Sequence, residues 1–560
     1  MIGKVLRQCW LQRVGLLIVC FFVAACSSSE KPVPQNSLKS KCVTAAPAYG
    51  DTLVEGTIGE ASTLIPILAS DSGSHSVAGL IYNGLIKYDK DLKIVGDLAK
   101  SYQISPDGLI ITFHLRPNVT WHDGAPFTSR DVLYTYRVII DPKTPTAYSE
   151  DFKQVTAVTA PDQYTIVVRY SKPYAPALAS WGSAILPAHL LEGQDITKSP
   201  LARKPVGTGP FRFKEWVAGQ KIVLEANKDY FEGRPYLDNY VFRLIPDTST
   251  MYMELKAGGV DQMGLTPVQF ARQTDTPAFK AAFNKYRYPS NGYLYLGYNL
   301  RHPIFKDKRV RRAITAAINK DELIQGVLFG MGQKANGPMI PGRWAYNPKV
   351  KDIPFDPVYA RQLLAEAGWK QGSDGFLQKD GKPFRFTILT NQGNQQRLMT
   401  AQIIQQRLKQ VGIDVRIRIV EWAAFLKEFI DKGNFEVVLL AWLTSQDPDM
   451  YDIWHSSKTK PGELNFIGYN NPEVDQLLEA GRSTFDSEKR KQAYFRIQDI
   501  LADEQPYTFL YVPDALPVVS SRIRGIEPAP AGIGHNLIKW YVPKKEQRYY
   551  DPAHQSRTLS

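Results

Sequence analysis

A chain of 560 residues exceeds what a single small core organises, so two or three domains are expected. Hydrophobic residues at 44 % and charged residues at 22 % are those of an ordinary soluble globular protein. The formal charge of +13 is dispersed among acids, as in "DKRVRRAITAAINKDE". No sustained basic patch with interleaved aromatics occurs, which argues against a nucleic-acid partner; a mildly basic surface suits residence beside anionic lipid.

In chain order, the first element is a leader. Lys4, Arg7 and Arg13 precede an apolar run from Val14 to Ala25 that is too short for a comfortable bilayer span. The run ends in "VAAC", which resembles the lipobox of bacterial lipoproteins. That resemblance implies a signal peptide over 1–25, cleavage before Cys26 and lipid on Cys26; an uncleaved anchor or an ordinary signal peptide is the alternative. Residues 26–50, rich in Ser, Pro and Lys, read as a tether. Cleavage would remove Cys9 and Cys20, and lipid would occupy Cys26. Cys42 is then left alone, and no intramolecular disulfide is expected. Strands follow at "LIITFHLR" (109–116) and "YTIVVRY" (164–170), then "KIVLEAN" (221–227) and "YVFRLI" (240–245). Between the first two, Thr128 and Asp131 take capping-box spacing before an apolar-periodic helix. "GTGPF" reads as a tight turn.

The second half changes character. "FRFTILT" (384–390), "IDVRIRIV" (413–420) and "FEVVLLAW" (435–442) read as strands. The amphipathic "QQRLMTAQIIQQRLKQVG" and "WAAFLKEFIDKG" read as helices between them. This is β-α-β-α-β, a parallel open sheet with helical crossovers. Helices at 308–318, 357–367 and 487–503 surround it; Asp356, Pro357 and Gly368 mark the start and stop of the second. Open parallel sheets bind ligands outside the carboxyl ends of their strands. Those ends are "TNQGNQQ", with Asn391 and Asn394; "VEW", with Trp422; and "AWLTSQDPD", with Trp442, Thr444, Ser445 and Asp447. One rim should therefore carry all three loops.

Five segments add a resemblance. "SYQISPDGLIITFHLRPNVTWHDGAPFTSRDV", "PVGTGPFRFKEWVAGQKIVLEANKDYF", "PIFKDKRVRRAITAAINKDELI", "LNFIGYNNPEVDQLLEAG" and "QPYTFLYVPDALPVV" resemble, in order, the family 5 extracellular solute-binding proteins of ABC importers. The resemblance covers about residues 52 to 543. It implies an α/β fold: a two-lobe periplasmic-binding-protein clamshell with an extra subdomain in the first lobe. The implied bounds are lobe I over 51–288, with its subdomain near 74–200, lobe II over 289–505, a return segment of lobe I over 506–545 and a C-terminal tail over 546–560. The implied function is capture of a short peptide between the lobes and its delivery to a membrane permease. The implied protein is a monomer in the periplasm or cell envelope, tethered through its lipid, with no cofactor. A nickel chelate or an oligosaccharide is the alternative ligand; a periplasmic peptide hydrolase or a chaperone is the alternative class.

The resemblance also places Glu60 and Ser62 in the first pocket loop and Trp181 in a cleft loop, although turn chemistry and a core indole compete for these residues. Peptide-binding members anchor the ligand's amino group on an aspartate a few residues after the tryptophan that matches Trp442. Here Leu443, Thr444, Ser445 and Gln446 fill that space. Either Asp447 moves in, or neutral hydrogen bonds hold the ligand. Asp447 and Asp449 compete for a second role, as caps of the next helix. "DPDMYD" lacks the alternation and the glycine of a calcium loop, so no metal site is expected. HExxH, GxSxG and P-loop patterns do not occur, so an enzyme is not expected; the carboxylates Asp447 and Glu421 are the pair a hydrolase would use.

Overall fold

The computed structural model describes residues 46–549. The expected leader, the expected lipid site at Cys26, Cys42, most of the expected tether and the end of the tail lie outside the described residues.

Two seven-stranded sheets organise the molecule. In the first, the strand order is Phe283–Lys285, Pro517–Ser520, Gln262–Gly264, Thr52–Thr57, Asn239–Leu244, Lys221–Ala226 and Phe211–Val217. Thr52–Thr57 runs parallel to both of its neighbours. The buried Arg522 ties this lobe's start to its end: its guanidinium meets Asp51 and Asp261 and donates to the Thr52 carbonyl at 2.7 Å. The extra subdomain is a four-stranded antiparallel sheet covered by helix Ser129–Ile140. The capping box expected there forms: Thr128 Oγ1 accepts from Arg130 N, and Asp131 accepts from Thr128 N at 2.9 Å.

The second sheet holds the predicted β-α-β-α-β run. Arg385–Asn391 is parallel to Asp414–Val420 and to Val437–Leu443, so the three strand ends do share one rim. The run is only part of this sheet. Gly292–Tyr298 pairs antiparallel with Val437–Leu443 on one side and with Tyr507–Ala515 on the other. Both faces are covered, which explains the unbroken apolar run: Val437 and Leu439 enter one core, Val438 and Leu440 the other. The "WAAFLKEFIDKG" helix is a short helix, Trp422–Ala424, that widens into a π-helix over Phe425–Ile430.

One expected boundary is corrected. The segment from 506 was expected to return directly to the first lobe. Instead Tyr507–Ala515 stays in the second sheet, and only Pro517–Ser520 joins the first, beside Gln262–Gly264 and Phe283–Lys285. The crossing is at Leu516. The physical reason is the edge of Gly292–Tyr298, whose every residue is buried and whose backbone needs a second partner.

Candidate functional site

The lobes meet on two sides and leave a cavity of about 960 Å³ between them. Helix Ser72–Ile81, Tyr148 and the loop Gly182–Ala184 form its first-lobe wall. Trp422, the π-helical Leu426 and Ile430, Phe466 and the strand end Leu440–Ser445 form the opposite wall. A smaller chamber of about 300 Å³ adjoins it and shares Ser72, Ser76, Arg397 and Trp422 with it. At this end the lobes approach closely. Gly393, at φ 85°, lies against the Pro246 carbonyl and Ile58, where a side chain would press on backbone.

The strand-end residues take different places. Trp442 faces the large cavity; its indole lies parallel to Tyr295 at 6.3 Å and donates to the Tyr507 hydroxyl at 3.3 Å. Trp422 borders both cavities and stacks on Phe425 at 5.8 Å. Asn391 and Asn394 line the smaller chamber. Asn394 caps helix Gln395–Gln410, and Asn391 Oδ1 accepts from Arg397 Nη1 at 2.6 Å. Thr444 and Ser445 line the large cavity, but both hydroxyls already donate, to the Asn291 carbonyl at 2.9 Å and to the Asp447 carbonyl at 2.5 Å. The Thr444 N–H also donates to the Asn291 carbonyl at 2.7 Å, and the Ser445 carbonyl accepts from Arg343 Nη1 at 2.6 Å, which leaves the hydroxyl lone pairs for a ligand.

Four expectations change. Asp447 does not border either cavity; both its oxygens accept from Arg490 Nη2, at 2.7 and 3.0 Å. Asp449 accepts from Tyr451 N at 3.2 Å, as a cap would, but it is buried and its main partner is Arg482 at 2.6 Å. Trp181 is a core indole, buried against Phe113 and Phe152, with its N–H on the Tyr170 hydroxyl at 2.9 Å; its neighbours Gly182, Ser183 and Ala184 border the cavity instead. The Ser62 hydroxyl donates to Asp71 at 2.6 Å and stands outside both cavities, so turn chemistry wins there. Glu60 does border the smaller chamber, with its carboxylate held by Trp216 Nε1 at 2.5 Å and Gly219 N at 3.2 Å. Glu421 caps its own helix through Ala423 N and Ala424 N, so the Asp447–Glu421 pair has no shared cavity to work in.

Sequence reasoning missed Arg397 and Asp431, two opposite charges on the cavity walls with no ion pair among the described residues. Burial lowers the Arg397 guanidinium to about 10 and raises the Asp431 carboxyl. It also missed a charged seam between the lobes. Arg482 reaches Asp151 at 3.3 Å and the Tyr174 hydroxyl at 2.9 Å, while Lys458 lies 3.5 Å from Glu150. Burial pushes the carboxyls of Asp151, Asp449 and Asp452 up to about 6.

A mixed α/β clamshell with a walled interlobe cavity is one half of the comparison with known proteins; sequence is the other. Residues 93–463 match the model of the bacterial extracellular solute-binding proteins, family 5. The chain belongs to this family. Among its relatives, the oligopeptide-binding protein AppA of Bacillus subtilis is 34 % identical over 545 residues, 94 % of this chain and 98 % of AppA. The structure of AppA with a nonapeptide matches at a TM-score of 0.84, over 89 % of this chain and 100 % of that one. DppA of Helicobacter pylori, in complex with the peptide STSA, matches at 0.80 with 30 % identity, over 89 % and 99 %. NikZ of Campylobacter jejuni, in complex with Ni(L-His), also matches at 0.80, with 28 % identity over 88 % and 99 %. Family 5 proteins and the relatives named here are substrate-binding proteins.

Proposed function

We propose that the protein captures a short peptide in the interlobe cavity and delivers it to an ABC permease. The observation that carries this is a cavity of about 960 Å³ walled by both lobes, with Trp442 and Trp422 on one side and helix Ser72–Ile81 on the other. That volume is at the upper end of ordinary ligand sites, which run to roughly 1,000 Å³. AppA and DppA, each solved with a peptide, support the class of ligand. In this reading Trp442, Trp422, Asn391, Asn394, Glu60, Thr444 and Ser445 are ligand-side residues. The ligand's amino group is held without Asp447, whose carboxylate faces Arg490. Residues 51–288, together with the chain after Leu516, move as one lobe against 289–515. The mature protein begins at a lipid-bearing Cys26, is tethered to the membrane and acts as a monomer without a cofactor.

Native mass spectrometry of the purified protein tests this. A retained peptide, with a smaller radius by small-angle scattering when it is bound, is the expected result. Ligand at about 100 times its dissociation constant should add roughly 2.7 kcal/mol of stability. A retained nickel chelate or oligosaccharide would replace the peptide. Turnover of a bound peptide would indicate a hydrolase, and binding of unfolded chains without fixed stoichiometry a chaperone. For the anchor, a Cys26→Ser variant should lose its lipid and its partition into detergent.

A further inference from the structure

We propose that the seam between the subdomain and the second lobe is a proton-operated latch: closing the clamshell places a proton from solvent on the carboxyls gathered there, so acid favours the closed, ligand-holding form. The latch deepens the capture reading above and rests on its lobe motion.

The charges of the seam divide by lobe. The second lobe brings Asp449, Asp452 and Glu463 with Arg482 and Lys458. Arg482 holds Asp449 at 2.6 Å, and Lys458 lies 3.2 Å from Asp452 and 3.8 Å from Glu463. The subdomain brings Glu150, Asp151 and Lys153, with Lys153 paired to Glu150. Each side therefore carries one carboxylate more than it has cations. When the lobes part, Arg482 and Lys458 keep the acids of their own lobe. When they close, Arg482 also has to serve Asp151 at 3.3 Å, and Lys458 has to serve Glu150 at 3.5 Å. The Ala175 N–H on the Arg482 carbonyl, at 2.8 Å, fixes how the two sides meet. Glu150, Lys458 and Arg482 are buried there, so two excess negative charges share a seam poor in water. Like charges brought together out of water disfavour ionisation, and one proton relieves them.

The titration of the aspartates agrees. Burial first of all raises Asp151, Asp449 and Asp452 to about 6. For Asp151 the next cause is the charge of Asp452, on the other side of the seam; Asp151 in turn raises Asp449, against the pull of Arg482. These cross-seam causes vanish when the lobes separate. The surrounding groups are otherwise engaged. Asp447 pairs with Arg490 at 2.7 Å, and His455 faces Glu479 and Asp475 at 3.5 and 3.9 Å. Tyr148, Tyr170, Tyr174, Tyr451 and Tyr494 are raised by burial and stay protonated.

The test is a distance measurement by pulsed electron resonance on the full protein, freed of copurified ligand. Spin labels are carried on unnatural residues at the exposed Lys172 of the subdomain and the exposed Gln492 of the second lobe. A carboxyl near 6 when closed and near 4 when open makes the closed-to-open ratio fall about tenfold between pH 5 and pH 8. Asp151→Asn removes the charge for good, so its ratio should stay flat over that range. His455→Asn should keep the wild-type response. If Asp151→Asn does not fold, Asp452→Asn carries the same expectation as Asp151→Asn. A wild-type ratio that is constant, or that rises with pH, overturns the latch, whether or not the variants fold. So does a response that survives in the aspartate variant or disappears in His455→Asn. The compounds released from the purified protein are then returned to it. Closure with them but not with acid would sink the latch and leave the capture reading standing; labels that never move would sink both.

Discussion

The two interlobe regions of this molecule treat charge in opposite ways. In the seam, Arg482 and Lys458 from the second lobe face Glu150 and Asp151 from the subdomain, with Asp449 and Asp452 beside them and the Ala175 N–H on the Arg482 carbonyl at 2.8 Å. Every cation there has at least one carboxylate. In the cleft, Arg397 and Asp431 stand on the walls without ionic partners, and aromatic rings make up much of the remaining surface. One loop serves both regions: Thr444 and Ser445 face the cleft, while Asp447, Asp449 and Asp452 face away from it. The seam can hold the lobes together because its charges are satisfied by the protein. The cleft can hold a ligand because its charges are not.

The largest effect that would separate the two is loss of Arg482. An Arg482→Met variant leaves Asp449, whose side chain is 10 % exposed, and the half-buried Asp151 without their shared cation. Breaking such a group from one side costs about 3–5 kcal/mol. Urea denaturation should show that loss; a change under about 1 kcal/mol would mean that the seam is solvated and does not join the lobes.

The seam should also read pH. Asp151, Asp449 and Asp452, together with Glu150, outnumber the cations among them, and burial raises the three aspartates to about 6. A carboxyl raised in the folded state binds its proton more tightly there than in the unfolded chain. Its stabilising contribution is full below the unfolded value near 4 and is lost as pH rises through about 6. One group shifted by about two units is worth about 3 kcal/mol over that window. The stability penalty of Asp449→Asn should therefore shrink between pH 4 and pH 7, as the ionised wild-type carboxylate becomes the more costly group. A penalty that grew with pH would show that Arg482 overcompensates for burial.

The sequence made the sheet legible and the seam illegible, for one physical reason. Strand ends follow from hydrophobic periodicity, so Arg385–Asn391, Asp414–Val420 and Val437–Leu443 were found within a residue or two, and their common rim followed from parallel crossovers. Which of two neighbours faces inward in a loop depends on tertiary partners. That is why the resemblance places a cleft loop at Trp181, while it is Gly182 and Ser183 beside it that border the cavity. Arg482 and Asp151 lie more than three hundred residues apart, and nothing local marks either. Arg397 did carry a local signal, a cation in the first turn of a helix with no acid beside it.

On the cleft side, Trp442→Ala removes a ring that lies between the cavity and the Tyr295–Tyr507 stack, whose rings are 4.0 Å apart. Truncating a buried aromatic anchor costs on the order of 2 kcal/mol of binding. Titration calorimetry with the copurified ligand should show a loss of that size while the melting temperature moves little, because Tyr295 and Tyr507 keep each other. Full affinity in this variant would put the ligand on another wall.

The smallest effect tests the wall itself. Asp447 is five residues from Trp442, and in the sequence it was the natural substitute for a missing amine anchor. Its carboxylate instead bridges Arg490, which also donates to the Gly481 carbonyl at 2.9 Å and lies over the Trp344 ring at 5.4 Å. Asp447→Asn keeps an oxygen for Arg490 and for Asp449 N but removes the charge, so the expected cost is about 1 kcal/mol of stability. Affinity should follow a different rule. If Asp447 stands behind the wall, a peptide and its N-acetylated form lose equally little, and their ratio of dissociation constants stays at the wild-type value. If Asp447 reaches the ligand, the free-amine peptide alone weakens, because only it carries the ammonium that the carboxylate would hold. The ratio is insensitive to a small loss of folded protein, so it reports the position of this one side chain and not the health of the variant. A ratio that moved toward unity would transfer Asp447 from the seam's side of the loop to the cleft's, and the amine anchor with it.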